Sequence, residues 1–253
     1  ETLVCEGRII GSREIAIAAT CGYSKLKISN KPSIAVVTTG DELVSVSERP
    51  ESYQNRRSND LSIITALNSS GYSIEECEHL KDELISSKTL LDRLTELYQI
   101  VIISGGISKG KRDFIPAILD EIGLKCQFHG VAQKPGKPLG YWCNDTSSVF
   151  ALPGNPLSTL TCLHQYVIPA LNIASGKILN NNRSVELSEA LVGVKNITTF
   201  LPVSVTTENI ATQCPCNNSG DLVKILSSDG YIELPPRAAH YPAGSSFIFN
   251  PWL

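Results

Sequence analysis

The apolar run Ile100-Val101-Ile102-Ile103 passes directly into Ser104-Gly105-Gly106-Ile107-Ser108-Lys109-Gly110, and then into a helix-like stretch from Asp113. A continuous apolar run of this kind suits a strand covered on both faces. A glycine-rich junction between such a strand and a helix suits a layered α/β sheet. Glycines at that junction let backbone N–H groups point outward, and the helix end behind them carries partial positive charge. A second loop, Lys134-Pro135-Gly136-Lys137-Pro138, sets two lysines three residues apart between prolines. Together the two loops read as a cradle for phosphate or another oxyanion. From Ser104 to Pro138 six Lys/Arg stand against three acids, within a chain of formal net charge -3. The alternative reading of the same residues is a glycine turn with solvated surface lysines.

Apolar periodicity extends the layered pattern in both directions. A short helix is expected from Ser12 to Cys21, ending at Gly22, and a strand from Ser33 through Ile34-Ala35-Val36-Val37. A helix near Ser58 or Asn59 would carry Leu61, Ile64 and Leu67 on one stripe, with Gly71 at its C′ position. Tyr72 to Cys77 reads as a strand, and Leu90, Leu91, Leu94, Leu97 and Tyr98 as the stripe of a second helix. Asp113 is a suitable N-cap for a third helix bearing Ile115, Ile118, Leu119 and Ile122, with Pro116 in its first turn and Gly123 at its end. Strand-like runs follow at Lys125–Val131, Leu139–Cys143 and Ser148–Leu152. A long helix is then expected from about Ser158 to Ser175, kinked at Pro169. Asn180-Asn181-Asn182 reads as a linker. Beyond it, β-type runs at Val185–Val194, Thr198–Thr206, Tyr231–Leu234 and Ser246–Phe249 make a second, small β domain.

Composition narrows the function classes. With 253 residues, 42% hydrophobic and 19% charged, the chain has the make-up of an ordinary globular protein of two domains. The balance of 22 basic and 25 acidic residues offers no field for nucleic acid or an anionic membrane, and no apolar run approaches a membrane span. Eight scattered cysteines favour a reducing compartment, and only Cys214-Pro215-Cys216 is close-spaced, without the second pair a zinc site needs. The four histidines show no ligand spacing, and no Ser/His/Asp arrangement is legible. The chain has no methionine and starts at Glu1, so it reads as a piece of a longer protein.

Open α/β sheets bind ligands beyond the carboxyl ends of their strands. Four loops are candidates for one such rim: Thr38-Thr39-Gly40-Asp41-Glu42, the glycine loop with Asp113, Lys134 to Pro138, and Pro153-Gly154-Asn155-Pro156-Leu157-Ser158. Glycines, lysines and hydroxyls would hold oxyanions. Asp41, Glu42 and Asp113 suit Mg²⁺, which takes a few carboxylates together with substrate phosphates. As plain structural residues, Asp41 would be a turn residue, Asp113 an N-cap and Ser158 part of a first helical turn.

Thr39-Gly40-Asp41-Glu42-Leu43, Ser104-Gly105-Gly106-Ile107-Ser108 with Gly110 and Asp113, Lys134-Pro135-Gly136-Lys137-Pro138, and Leu152-Pro153-Gly154-Asn155-Pro156-Leu157-Ser158 occur here in the order seen in molybdopterin molybdenumtransferases, the MoeA-type enzymes related to the gephyrin E domain. The tail resembles the family's small C-terminal domain through Asn218-Ser219-Gly220-Asp221-Leu222 and Ser228-Asp229-Gly230-Tyr231-Ile232-Glu233-Leu234-Pro235. The resemblance implies a three-layer α/β/α domain of the molybdopterin-binding type at residues 32–178, a barrel-like all-β domain at 183–253, and a remnant of an N-terminal region at 1–31. It implies a transferase of molybdenum cofactor biosynthesis: adenylylated molybdopterin and molybdate are the substrates, AMP is released, and Mg²⁺ assists. It places the family's acidic, catalytic and metal-holding positions on Glu42, Asp82 and Asp113. Molybdate-holding lysines fall on Lys134 and Lys137. The remaining substrate-binding positions fall on Thr39, Gly40, Asp41, Ser104, Gly105, Gly106, Ser108, Pro153, Gly154, Asn155, Ser158 and Ser219. A cytoplasmic homodimer, with its site completed across the dimer by a further N-terminal region, is also implied. One departure stands out: Phe200-Leu201-Pro202 occupies the place of a Phe-x-Arg pattern, so an oxyanion-binding arginine is missing there. Other functions compatible with the motifs are a molybdopterin adenylyltransferase, against which the tail argues, and a non-catalytic gephyrin-like scaffold.

Overall fold

The computed structural model describes residues 1–107, 114–177, 183–214, 222–236 and 240–252. The expected linker at 180–182 lies outside them, as do Ser108, Asp113 and Ser219.

After a short helix α1 (Ser12–Thr20), the chain enters β1 (Ile34–Thr39), whose six residues are all buried. A small parallel pair, β2 (Leu43–Val44) and β3 (Asn55–Arg56), precedes α2 (Asn59–Ser69). Then come β4 (Glu76–Leu80), α3 (Leu84–Leu97), β5 (Ile100–Ser104), α4 (Ile115–Glu121), β6 (Lys125–His129), β7 (Gln133–Lys134), β8 (Gly140–Cys143) and β9 (Ser148–Leu152). The first sheet runs in the order β4-β1-β5-β9-β8-β6, with β4, β1, β5 and β9 mutually parallel and β8 antiparallel to both its neighbours. Alternate residues of its strands feed two separate cores. Ile34, Val36 and Ile102 join Ile63, Leu67, Leu163, Val167 and Leu171 on one face; Ala35, Val37, Val101 and Ile103 join Leu91, Leu94, Ile115 and Ile118 on the other. This alternation makes the domain three-layered, and it explains why its central strands read as unbroken apolar runs.

Several local expectations are corrected. The buried stripe of α2 is Ile63, Ala66 and Leu67, while Leu61 is exposed. Leu97 of α3 is likewise exposed, and its core contacts come from Leu91 and Leu94. The strand expected at Tyr72–Cys77 forms instead at Glu76–Leu80. Tyr72 is a core plug between layers, and its hydroxyl donates to Asn172 Oδ1 at 3.0 Å. Helix α4 has Phe114 at its N-cap position, so Asp113 lies one residue before that cap.

The long helix starts earlier than expected, as α5 (Pro156–Cys162), passes through a π turn at Leu163–Val167, and finishes as α6 (Ile168–Ala174). Pro169 has no N–H to give to the carbonyl four residues back. The helix answers with a widened turn in which the Ile168 amide donates to Leu163 O.

The second domain contains β10 (Ser184–Leu187), β11 (Leu191–Val192), β12 (Thr198–Val205), β13 (Ile210–Gln213), β14 (Gly230–Leu234), β15 (His240–Tyr241) and β16 (Ser246–Pro251). The run expected as one strand over 185–194 is split in two. The main sheet has the order β13-β10-β16-β14-β12-β7, and β13 also pairs with β12, which closes it into a barrel-like form. Its core is Val185, Leu187, Val203, Ala211, Ile232, Leu234 and Phe249. Strand β7 comes from the first domain, so the lysine loop begins on an edge strand of the second sheet: Gln133 is opposite Thr198, and Lys134 opposite Thr199.

His164 of the π turn packs edge-on against Trp252 at 5.3 Å, and burial pushes its imidazole down from the ordinary 6.5 to about 4. The folded protein therefore keeps this ring neutral where the unfolded chain takes up a proton. Stability from this group is complete above pH 6.5 and falls as pH drops to about 4. Burial shifts His79 in the same direction. We expect His164→Gln to flatten the loss of unfolding free energy between pH 6.5 and 4, by about 2 kcal/mol, in denaturant titrations run at several pH values. An unchanged slope would show that His164 does not drive this pH dependence.

Candidate active site

The carboxyl ends of β4, β1, β5 and β9 lie in register at one rim, with Thr39 opposite Leu80 and Ser104 opposite Leu152. The ladder continues into the loops: the Gly40 amide donates to Leu80 O and the Gly105 amide to Leu152 O, both at 3.1 Å. Above this rim lies a cleft of about 1660 Å³, walled on the far side by the second domain. All four loops named from the sequence open into it. Thr39, Gly40, Glu42, Asp82, Gly105, Gly106, Lys134, Lys137, Pro153, Gly154, Asn155 and Ser158 line it.

Two of these loops are held together by a residue outside all four. Asn59, 8% exposed at the start of α2, donates from Nδ2 to Ser104 Oγ at 2.9 Å and to Gly154 O at 2.8 Å. The Ser104 hydroxyl also reaches Pro153 O and Thr159 Oγ1, both at 3.4 Å, and Thr159 Oγ1 donates to Pro153 O at 2.6 Å. Ser104, 2% exposed, also lines the cleft, and its hydroxyl takes part in this network, which joins the loops. The signal for Asn59 was present in the sequence as a polar residue at a helix start, but it was read only as a possible cap.

Asp41 is not among the residues that line the cleft. Its Oδ1 accepts the Asp82 amide at 3.0 Å, which fixes the β4 loop beside the β1 loop; Asp82 and Glu42 both line the cleft. Ser158 is on the cleft but buried.

The lysine loop is anchored from below. Gln133 donates to Pro135 O at 3.1 Å and to Cys162 Sγ at 3.5 Å, and its Oε1 accepts the Tyr166 hydroxyl. Gly136 has φ +94°, and a Cβ there would stand 2.5 Å from Cys162 Sγ. Burial pushes the Cys162 thiol up to about 12, so it is a neutral packing group and not a nucleophile. Lys134 and Lys137 are both exposed on the cleft, and among the described residues neither takes part in an ion pair.

Two further cations line the cleft that the sequence reading did not single out. Arg56 donates from Nε to Val46 O at 3.0 Å, and Arg57 stands 3.7 Å from Asp60. The second domain's wall is largely apolar, with Leu191, Ile197, Phe200, Leu201 and Pro202, plus Glu189 and Gln213. Phe200-Leu201-Pro202 thus faces the cleft as a hydrophobic surface where the family resemblance called for an arginine.

Among the described residues, no group of three or more His, Cys, Asp and Glu side chains is placed to hold a metal ion. Glu42 and Asp82 are the carboxylates that the first domain's described residues put on the cleft, and a magnesium ion held by one or two carboxylates and completed by substrate phosphate is compatible with them. The arrangement as a whole suits polyanionic ligands: Lys134 and Lys137, in no ion pair among the described residues, with the glycine loop, Glu42 and Asp82 on the first domain's side, and a largely apolar wall opposite.

These features define a two-domain protein with a cleft between the rim of its α/β sheet and the wall of its β domain. The family model described as "Probable molybdopterin binding domain" matches residues 35–173, and that described as "MoeA C-terminal region (domain IV)" matches 184–252. The Synechocystis protein named molybdopterin molybdenumtransferase is 35% identical over 242 residues, which are 93% of this chain and 60% of that protein. The Staphylococcus aureus protein of the same name is 29% identical over 96% of this chain and 59% of its own length. A crystal structure of the MoeA molybdopterin biosynthesis protein from Pyrococcus horikosii superposes with a TM-score of 0.83 at 27% identity, covering 99% of this chain and 62% of that one. The chain belongs to the MoeA-type family of molybdopterin-binding proteins. It spans about 60% of the length of the curated relatives it matches. No helix among the described residues is long and apolar enough to cross a membrane.

Proposed function

We propose that the cleft binds molybdate together with an adenylylated molybdopterin, and that the intact protein inserts the metal into the pterin dithiolene with release of AMP. The observation that carries this reading is the convergence of Lys134, Lys137 and the Gly105-Gly106 loop with Glu42 and Asp82 at one rim of the parallel sheet. The names of the relatives support it. Lys134 and Lys137 hold the molybdate oxyanion by charge-assisted hydrogen bonds. The glycine loop offers amides to the substrate phosphate, and the second domain's apolar wall excludes water. Closing water out strengthens each of these electrostatic contacts. A magnesium ion would sit at Glu42 and Asp82 and neutralise phosphate charge. Asp113, Ser108 and Ser219 belong to the same proposal on family grounds, with residues 32–178 and 183–253 as the two cleft-forming domains. The reading also includes a homodimer and a cytoplasmic setting.

The test is AMP release from adenylylated molybdopterin under single-turnover conditions with molybdate and Mg²⁺, this chain against the full-length protein at equal concentration. We expect molybdate-dependent release by the full-length protein and a slower rate for this chain, which spans about 60% of the length of the relatives. Equal rates would make this chain a complete catalytic unit, and the absence of molybdate dependence in both would overturn the proposal.

A further inference from the structure

The π turn at Leu163–Val167 does more than accommodate Pro169. Its Leu163 and Val167 face the first domain's core, while the three residues between them all reach the second domain. Gln165 accepts the Tyr231 hydroxyl at 2.8 Å and donates to Glu233 at 3.4 Å. Tyr166 meets Phe200 edge-on at 6.4 Å, and His164 meets Trp252. Phe200, Tyr231 and Trp252 are themselves in ring contact, at 5.9 and 5.0 Å. Tyr166 touches both cleft walls. Its ring packs on Phe200 of the apolar wall, and its hydroxyl donates to Gln133, the residue immediately before Lys134.

We propose that this π turn is the clamp that sets the gap between the two walls of the cleft, with Tyr166 and Gln165 as positioning residues for the lysine loop. It rests on the reading of the cleft as the oxyanion site only for its effect on ligand, not for the clamp itself. Gln133 is held on three sides, by Tyr166, by Cys162 and by its own loop at Pro135. Its strand is hydrogen-bonded to β12 through the Thr198 amide and Ala132 O at 3.0 Å. Loss of the Tyr166 hydroxyl leaves Gln133 Oε1 without its partner and loosens the side chain, and with it the register in which Lys134 faces the second domain. A π turn in a long helix is a frequent mark of such a functional constraint.

The experiment uses Tyr166→Phe, which keeps the ring contact, and Gln165→Ala, each in the whole chain. Amide exchange at Thr198 reads the junction directly, with Ile102 as a core reference, and calorimetry reads molybdate affinity. We expect Thr198 exchange to speed about tenfold in both variants with Ile102 unchanged, which is local opening rather than global unfolding. Molybdate binding should weaken about tenfold, and in the AMP-release assay the KM for molybdate should rise with kcat retained at saturation. Unchanged Thr198 exchange in both variants overturns the clamp. Faster exchange with unaltered molybdate affinity overturns the positioning role. If the wild-type chain binds no molybdate, the assignment of the cleft as an oxyanion site fails, and Thr198 exchange alone then decides the clamp.

Discussion

Gly105→Ala is expected to disrupt the glycine loop and lower the melting temperature by about 5–15 °C. Gly105 has φ +105°, a backbone conformation that side-chain-bearing residues rarely adopt. A Cβ built there would stand 2.7 Å from Thr39 Oγ1 and 2.9 Å from Thr39 O. The second of these is backbone at the end of a central strand and cannot swing away. Strain and overpacking each cost about 1–3 kcal/mol. Because Gly105 also lines the cleft, the change is expected to weaken anion binding as well. Calorimetric melting checks the first effect and anion binding the second. A melting temperature within a degree of wild type would mean that the loop has more freedom than its packing against Thr39 allows.

The paired substitution Lys134→Ala and Lys137→Ala is expected to act in the opposite manner, on binding and not on stability. Both side chains are exposed and outside any ion pair among the described residues, so the fold should melt within about 2 °C of wild type. A charge-assisted hydrogen bond contributes about 1.5–3 kcal/mol, so each lysine accounts for one to two decades of oxyanion affinity. The double variant should lose at least about a hundredfold in molybdate affinity by calorimetry. Unchanged affinity would remove the lysines from the site.

The sequence made the sheet legible because its central strands are sandwiched between helix layers. Ile34–Val37 and Ile100–Ile103 must be apolar on both faces, so no periodicity needed to be chosen. The edge strand Glu76–Leu80 was misplaced for the converse reason. It carries half-buried Glu76 and Glu78 on one face, Glu76 paired with Arg93 of α3, and exposed Cys77 on the other, while the apolar Tyr72 before it plugs the core from a loop. Helix phase failed at Leu61 because Ile63 and Ile64 are adjacent, so two overlapping stripes fit the same residues. The site was legible as loops, since glycine, proline and lysine at strand ends have few other uses. Its connections were not. Asn59 reaches Ser104 and Gly154 across 45 and 95 positions, and Gln133–Lys134 joins a sheet formed by a segment some 65 residues further on. Long-range polar contacts of this kind leave no local pattern. The π turn is similar: Pro169 announced an irregularity but not that the helix would widen toward a second domain.

The central claim is that the molybdate site is the wall of the cleft formed by the lysine loop. The most direct measurement is a crystal of this chain soaked in tungstate, an oxyanion of the same shape with strong anomalous scattering. The account predicts an anomalous peak inside the cleft within hydrogen-bond reach of Lys134 and Lys137, lost in the double lysine variant. A peak seated elsewhere, or one that persists in the cleft without either lysine, would contradict it.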